Sequence, residues 1–151
     1  MMTNEDKPIC IYLVDDDIDD QEIFSSALSE IEIPVELFVF SNAMELLDSL
    51  SQLNLNPNKP DAIFLDLYMP KMDGEECLVN IRKNIDFEDI PVLIYSTEYD
   101  LDRIEKLFSL GANRYLRKAD SYSSLVEALI KTVASIKRNA LGSAAVINII
   151  V

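Results

Sequence analysis

The sequence predicts an α/β fold in which a parallel sheet is covered by helices on both faces. Three observations carry that prediction. Short apolar runs recur along the chain, at Ile9–Val14, Val35–Phe40, Ala62–Leu65 and Pro91–Tyr95, and Arg114–Arg117 reads as a short fifth strand. Segments with helical apolar spacing separate them. Runs of this length, bounded by turn residues, read as strands buried on both faces. The third observation is chemical. Ile9–Val14 and Ala62–Leu65 each run straight into aspartate, as Asp15-Asp16-Asp17 and as Asp66. Open α/β sheets place their ligand sites beyond the carboxyl ends of their strands.

Ile9–Val14 is the first strand. Asp19 and Asp20 follow the three aspartates and open a helix whose apolar face holds Ile23, Phe24, Ala27 and Leu28. Acidic residues suit a helix start, where they cap free N–H groups and complement the dipole. Asp17 reads as such a cap. That reasoning leaves Asp15 and Asp16 unexplained, because carboxylates packed at a strand end repel one another and need a counter-charge. Val35–Phe40 is the second strand. Asn42 and Glu45 resemble a capping box and start a helix with Ala43, Leu46, Leu47 and Leu50 inward. Positions 51–60 carry asparagine and proline and read as a surface loop.

The third strand ends at Asp66. A carboxylate there is costly unless it is paired, metal-bound or solvated; a turn cap is the plainer alternative. Asp73-Gly74 turns the chain into a helix carrying Cys77, Leu78 and Ile81. The fourth strand ends at Ser96-Thr97. The next helix uses Leu101, Ile104, Leu107 and Phe108, with Gly111 as its C-terminal cap. The fifth strand ends at Lys118. Ser121 caps a last helix whose face is Leu125, Val126, Leu129, Ile130, Val133 and Ile136.

Strands alternating with helices imply right-handed βαβ units. For five units the doubly wound, flavodoxin-like order 2-1-3-4-5 is the natural choice. In that order Asp15, Asp16 and Asp66 meet between adjacent strands, with Ser96 and Lys118 on the far side of the third.

Composition narrows the function. The chain of 151 residues is 49% hydrophobic, enough for one domain with a real core. Its net charge of −14 opposes direct contact with nucleic acid. There is no histidine, which removes Ser-His-Asp and Cys-His catalysis and histidine-ligated zinc together. Cys10 and Cys77 form no CxxC pattern and read as buried thiols in a reducing compartment. No apolar stretch is long enough to span a membrane. Residues 1–8 are polar and lack a signal-peptide core. The expectation is a cytoplasmic protein.

Together these residues give the chain its resemblance to the receiver domains of two-component response regulators, with a layout similar to the single-domain chemotaxis regulator. The resemblance covers residues 9–138. It rests on the acidic pair Asp15-Asp16, the segment Asp66-x-x-Met69-Pro70-x-Met72-Asp73-Gly74, the hydroxyl of Ser96, the aromatic Tyr115, and Lys118. It implies that Asp66 accepts a phosphoryl group from a phosphohistidine. The donor would be a sensor histidine kinase or a histidine phosphotransfer protein. It implies Mg²⁺ held by Asp16, Asp66 and the backbone carbonyl of Tyr68, with Asp15 acting through water. Lys118 would contact the phosphoryl group, and Ser96 and Tyr115 would form the switch that changes a surface for a downstream protein. Tyr68 and Glu98 would flank the water that hydrolyses the acyl phosphate. On this reading the chain is a signalling protein that catalyses only its own phosphorylation and dephosphorylation.

The chain departs from the pattern at Ala119, where the family usually has proline, and at Thr97, where a smaller residue is common. A trans Lys118-Ala119 bond is expected, because a cis bond without proline costs about 2.5–4 kcal/mol. Residues 139–151 form an uncharged tail ending in Val146-Ile147-Asn148-Ile149-Ile150-Val151. It reads as an added strand, a disordered end or a cloning remnant. Two alternatives remain: a phosphatase with an aspartate nucleophile, and a binding module that has lost phosphotransfer. The phosphatase lacks its second acid, since Tyr68 stands at that position and stays protonated near neutral pH.

Overall fold

A computed structural model describes residues 7–53, 59–142 and, as backbone, 145–147. The elements run β1 (Ile9–Val14), α1 (Ile18–Ser29), β2 (Val35–Phe40), α2 (Ala43–Ser51), β3 (Ala62–Leu65), α3 (Gly74–Arg82), β4 (Val92–Ser96), α4 (Leu101–Ser109), β5 (Arg114–Arg117), α5 (Tyr122–Arg138) and β6 (Ala145–Ile147), with a 3-10 turn at Ile85–Phe87. The strands are all parallel, in the order β2-β1-β3-β4-β5-β6. The order 2-1-3-4-5 read from the sequence is therefore present.

The sheet has one strand more than the five expected. β6 pairs with β5 at Arg114↔Ala145, Tyr115↔Val146 and Leu116↔Ile147. Two causes favour it. Val146 and Ile147 have high strand propensity, and without them β5 would present an open edge. Arg114 fixes the approach. Its guanidinium is fully buried and donates to the carbonyls of Asn139 and Ala140 and to the hydroxyl of Ser135. It thereby satisfies two carbonyls just past the end of α5, where the chain leaves the helix. Gly142, at φ +65, turns the chain just beyond.

Alternation along the strands divides the core in two. Tyr12, Val14, Ile63, Leu65, Ile94 and Tyr115 face α2, α3 and α4. Ile11, Leu13, Phe64, Leu93, Tyr95 and Leu116 face α1 and α5. β1, β3 and β4 are buried throughout, as their unbroken apolar runs require.

The caps are where the sequence puts them. Asp17 accepts from the N–H of Asp20, Asn42 from that of Glu45, and Ser121 from that of Ser124. Glu45 closes its box on the N–H of Ser41. Gly111 follows α4 at φ +113. Three helical positions read as inward are exposed: Ile23, Leu101 and Ile130. Each lies at the rim of its apolar stripe, and Ala128 and Thr132 take the inward places on α5. β3 stops at Leu65, one residue before Asp66, and β4 includes Ser96. The loop expected over 51–60 lies partly outside the described residues, as do most of the N-terminal extension and the ends of the tail.

Candidate functional site

Sheet register builds the site. Val14 and Leu65 are paired neighbours, so the residues after them emerge side by side. The N–H of Asp66 donates to the carbonyl of Val14 at 3.0 Å, and that of Asp15 to the carbonyl of Phe40 at 3.1 Å. The N–H of Lys118 donates to the carbonyl of Ser96 at 2.8 Å, which sets the end of β5 beside the end of β4. Four strand ends thus converge on one edge of the sheet.

Oxygens from Asp15, Asp16 and Asp66 lie within 4.8 Å of one another. Asp15 is fully buried, Asp66 nearly so, and Asp16 is exposed. Hard carboxylate oxygens in this number suit a divalent cation such as Mg²⁺. Asp15 already has work for both oxygens: one accepts from the N–H of Asp17 at 3.0 Å, the other from Lys118 at 3.0 Å.

Burial pushes the pKa of Asp66 up to about 6. Lys118 opposes this rise, Asp15 adds to it, and the backbone N–H groups of Tyr68 and Leu67 oppose it further. Lys118 is mostly buried as well. Burial works against its charge, but Asp20, Asp66 and Asp15 outweigh that and hold its pKa above the usual lysine value.

Lys118 reaches Asp20 at 2.8 Å, Asp15 at 3.0 Å and Asp66 at 3.6 Å. It also lies 5.0 Å from the ring centre of Tyr95, within cation–π range. Its peptide bond to Ala119 is trans, as expected for a non-proline partner.

A second cluster lies around Glu98. Ser96 is buried, and its hydroxyl accepts from the N–H of Glu98 at 3.2 Å. Tyr115 points inward, 1% exposed, and its hydroxyl donates to the carbonyl of Glu98. The exposed Tyr68 donates to the Glu98 carboxylate at 2.5 Å, a bond that raises the Tyr68 pKa. One residue after Ser96 and Thr97 therefore gathers the predicted switch aromatic and the residue two places beyond Asp66.

Sequence reasoning missed Asp20 and Tyr95. Asp20 passed as a helix-start acid, and Tyr95 as an ordinary core residue of β4. Only the fold reveals that Lys118 leans toward α1. The thiols behave as expected: both are buried, and burial pushes Cys10 up to about 11 and Cys77 up to about 12. No helix among the described residues is long and apolar enough to cross a membrane.

A family model described as the response regulator receiver domain matches residues 11–130. The chain belongs to the response regulator receiver family. Response regulator Rcp1 of Synechocystis sp. is 31% identical over 127 residues, covering 83% of this chain and 86% of that one. The crystal structure of the phosphorylated cyanobacterial phytochrome response regulator RcpA superposes with a TM-score of 0.76 at 30% identity. That alignment covers 88% of this chain and 96% of the other. The Mn²⁺-bound form of Rcp1 gives a TM-score of 0.72 at 29% identity, covering 87% and 96%. Other curated relatives are longer, and this receiver domain spans 13–51% of their length.

Proposed function

We propose that this receiver domain is a phosphoacceptor of a two-component relay, with Asp66 as the acceptor. The carrying observation is the meeting of Asp15, Asp16 and Asp66 with Lys118 at adjoining strand ends. Residues 9–138 form the proposed receiver unit, and the tail adds β6 to its edge. Asp16, Asp66 and the Tyr68 carbonyl would hold Mg²⁺, with Asp15 behind a water. That ion, when bound, offsets the negative charge of the phosphoryl oxygens. The Mn²⁺-bound Rcp1 structure supports a divalent ion.

The chain's own residues carry the rest. A carboxylate oxygen of Asp66 attacks phosphorus in line with the P–N bond of a phosphohistidine. The P–N bond breaks, its electron pair stays on the imidazole nitrogen, and that nitrogen takes a proton from water. An acyl phosphate on Asp66 remains. Lys118 supplies a point charge for its oxygens. Ser96 turns its hydroxyl from the Glu98 N–H toward the phosphoryl group. The loop after β4 moves inward, and Tyr115 follows. A charge change thus becomes a surface change on α4, β5 and α5, read by a downstream protein. The donor is a histidine kinase or histidine phosphotransfer protein, and the setting is cytoplasmic, away from membrane and nucleic acid.

Acetyl phosphate with Mg²⁺ tests this reading by mass. A stable gain of one phosphoryl group, absent in Asp66→Asn, is expected. Turnover to free phosphate without adduct would point to a phosphatase, and no reaction to a binding module. Mg²⁺ should also raise the melting temperature of the native chain more than that of Asp16→Asn. Equal shifts would remove Asp16 from the metal site.

Tyr68 bears on signal lifetime. In this reading the Tyr68 ring, tethered to Glu98 and two residues past Asp66, shields the acyl phosphate from water. Tyr68→Asn should speed loss of the acyl phosphate about tenfold, or about 1.4 kcal/mol of barrier. Decay of purified phosphoprotein in Mg²⁺ buffer measures it, and an unchanged rate would discard the shield.

A further inference from the structure

Asp20 belongs to none of the motifs that mark the site, yet it makes the shortest contact to Lys118. The three carboxylates around the ammonium are not equivalent. Asp20 at 2.8 Å and Asp15 at 3.0 Å are at charge-assisted hydrogen-bond distance, and Asp66 at 3.6 Å is beyond it. The ammonium also sits over the Tyr95 ring, on the α1 and α5 side of the sheet. A cleft of about 280 Å³ adjoins it there, lined by Asp20, Tyr95, Thr97, Ala119 and Tyr122. Asp20 and the Tyr95 ring hold the ammonium on that side, and Asp66 is the carboxylate it reaches least.

We infer that Asp20 is a positioning residue, a parking counter-ion that holds Lys118 on the α1 side until a phosphoryl group on Asp66 draws it across. The inference rests on the phosphoacceptor reading of Asp66. Asp20 suits a releasable partner. It is 38% exposed at its side chain, so water screens the pair and replaces it readily. A phosphoryl group offers more charge and more acceptor oxygens than one carboxylate. Ala119 leaves the strand end without the ring that a proline would add beside the cleft. Asp20 itself is held in place: its N–H is tied to the Asp17 side chain in the first turn of α1.

The test is Asp20→Asn, which keeps shape and removes charge. With Lys118 no longer parked, phosphorylation by acetyl phosphate in saturating Mg²⁺ should run three- to tenfold faster than in wild type. Asp20→Glu, which restores the charge, should return the rate toward wild type. Asp19→Asn and Glu22→Gln remove the same charge from the same helix without touching Lys118, and should leave the rate unchanged. A crystal structure of metal-free Asp20→Asn should bring the Lys118 ammonium within hydrogen-bond distance of Asp66. Equal or slower phosphorylation in Asp20→Asn, or equal acceleration in Asp19→Asn, would overturn the inference. So would a Lys118 that stays put in the crystal. If wild type takes no phosphate at all, the phosphoacceptor reading fails, and the crystal structure still decides where Asp20 holds Lys118.

Discussion

Asp66→Asn should stabilise the metal-free protein by about 1–3 kcal/mol at pH 7, and the gain should disappear below pH 4. The cause is the cost of an ionised carboxylate at this strand end. Burial is the larger contribution to its raised pKa, and the Asp15 charge adds to it. Lys118 offsets only part, because it stands 3.6 Å away and serves Asp20 and Asp15 first. The folded-state pKa of about 6 lies above the ordinary 3.8, so the folded chain binds a proton more readily than the unfolded one. Stability therefore rises as pH falls through the window from about 6 to 4, and the ionised group costs stability above it. The gap between those two values bounds that cost at about 3 kcal/mol. Asparagine carries no charge at any pH, so it escapes the cost where Asp66 pays it and gains nothing where Asp66 is protonated. Urea unfolding of both proteins in EDTA, at pH 7 and pH 4, measures the difference. An equal difference at the two pH values would show that ionisation of Asp66 is not its origin. Mg²⁺ should reverse the ranking at pH 7, since the ion stabilises only the chain that binds it.

The same residue shows how much of the site was legible in advance. Asp15, Asp16, Asp66 and Lys118 follow strands and Ser96 ends one, and parallel strands deliver their carboxyl ends to one edge. Their convergence follows from strand order alone. The caps at Asp17, Asn42 and Ser121 are local, so short stretches of sequence suffice to find them. What stayed hidden depends on which way a long side chain leans. Lys118 can reach either side of the sheet edge, and only the placement of α1 decides that Asp20 and Tyr95 hold it. Rim positions such as Ile23 and Ile130 failed for a related reason. Helical periodicity marks a stripe, but the width of the stripe is set by how closely the neighbouring helix packs. β6 was one of three readings of the tail. Its propensity was visible in Val146-Ile147, whereas the buried Arg114 that turns the chain toward β5 read only as a charged residue in an edge strand.

Of the three glycine-to-alanine changes Gly74→Ala should be the most damaging, costing about 3 kcal/mol or more. Gly74 begins α3, and its N–H donates to the carbonyl of Leu67 at 2.8 Å, which draws the helix start onto the loop after β3. A Cβ there would stand 2.2 Å from the backbone oxygen of Asp66, 2.8 Å from the Cα of Leu67 and 2.9 Å from the backbone carbon of Asp66. All three atoms are backbone, so no rotamer change relieves the clash. Either α3 withdraws from the sheet or the Asp66-Leu67 segment moves. Overpacking of a yielding core costs about 1–3 kcal/mol, and this contact does not yield. The damage should reach the site as well, because the atoms displaced belong to Asp66 itself. A matched control separates the two effects. Ile136→Ala empties part of the core between the far end of α5 and the sheet and should cost about 2–5 kcal/mol. It leaves the acidic cluster untouched, so the native response to Mg²⁺ should survive. Gly74→Ala should lose much of the Mg²⁺-induced rise in melting temperature. A folded Gly74→Ala with wild-type stability and a wild-type Mg²⁺ response would show that α3 can start without this close approach.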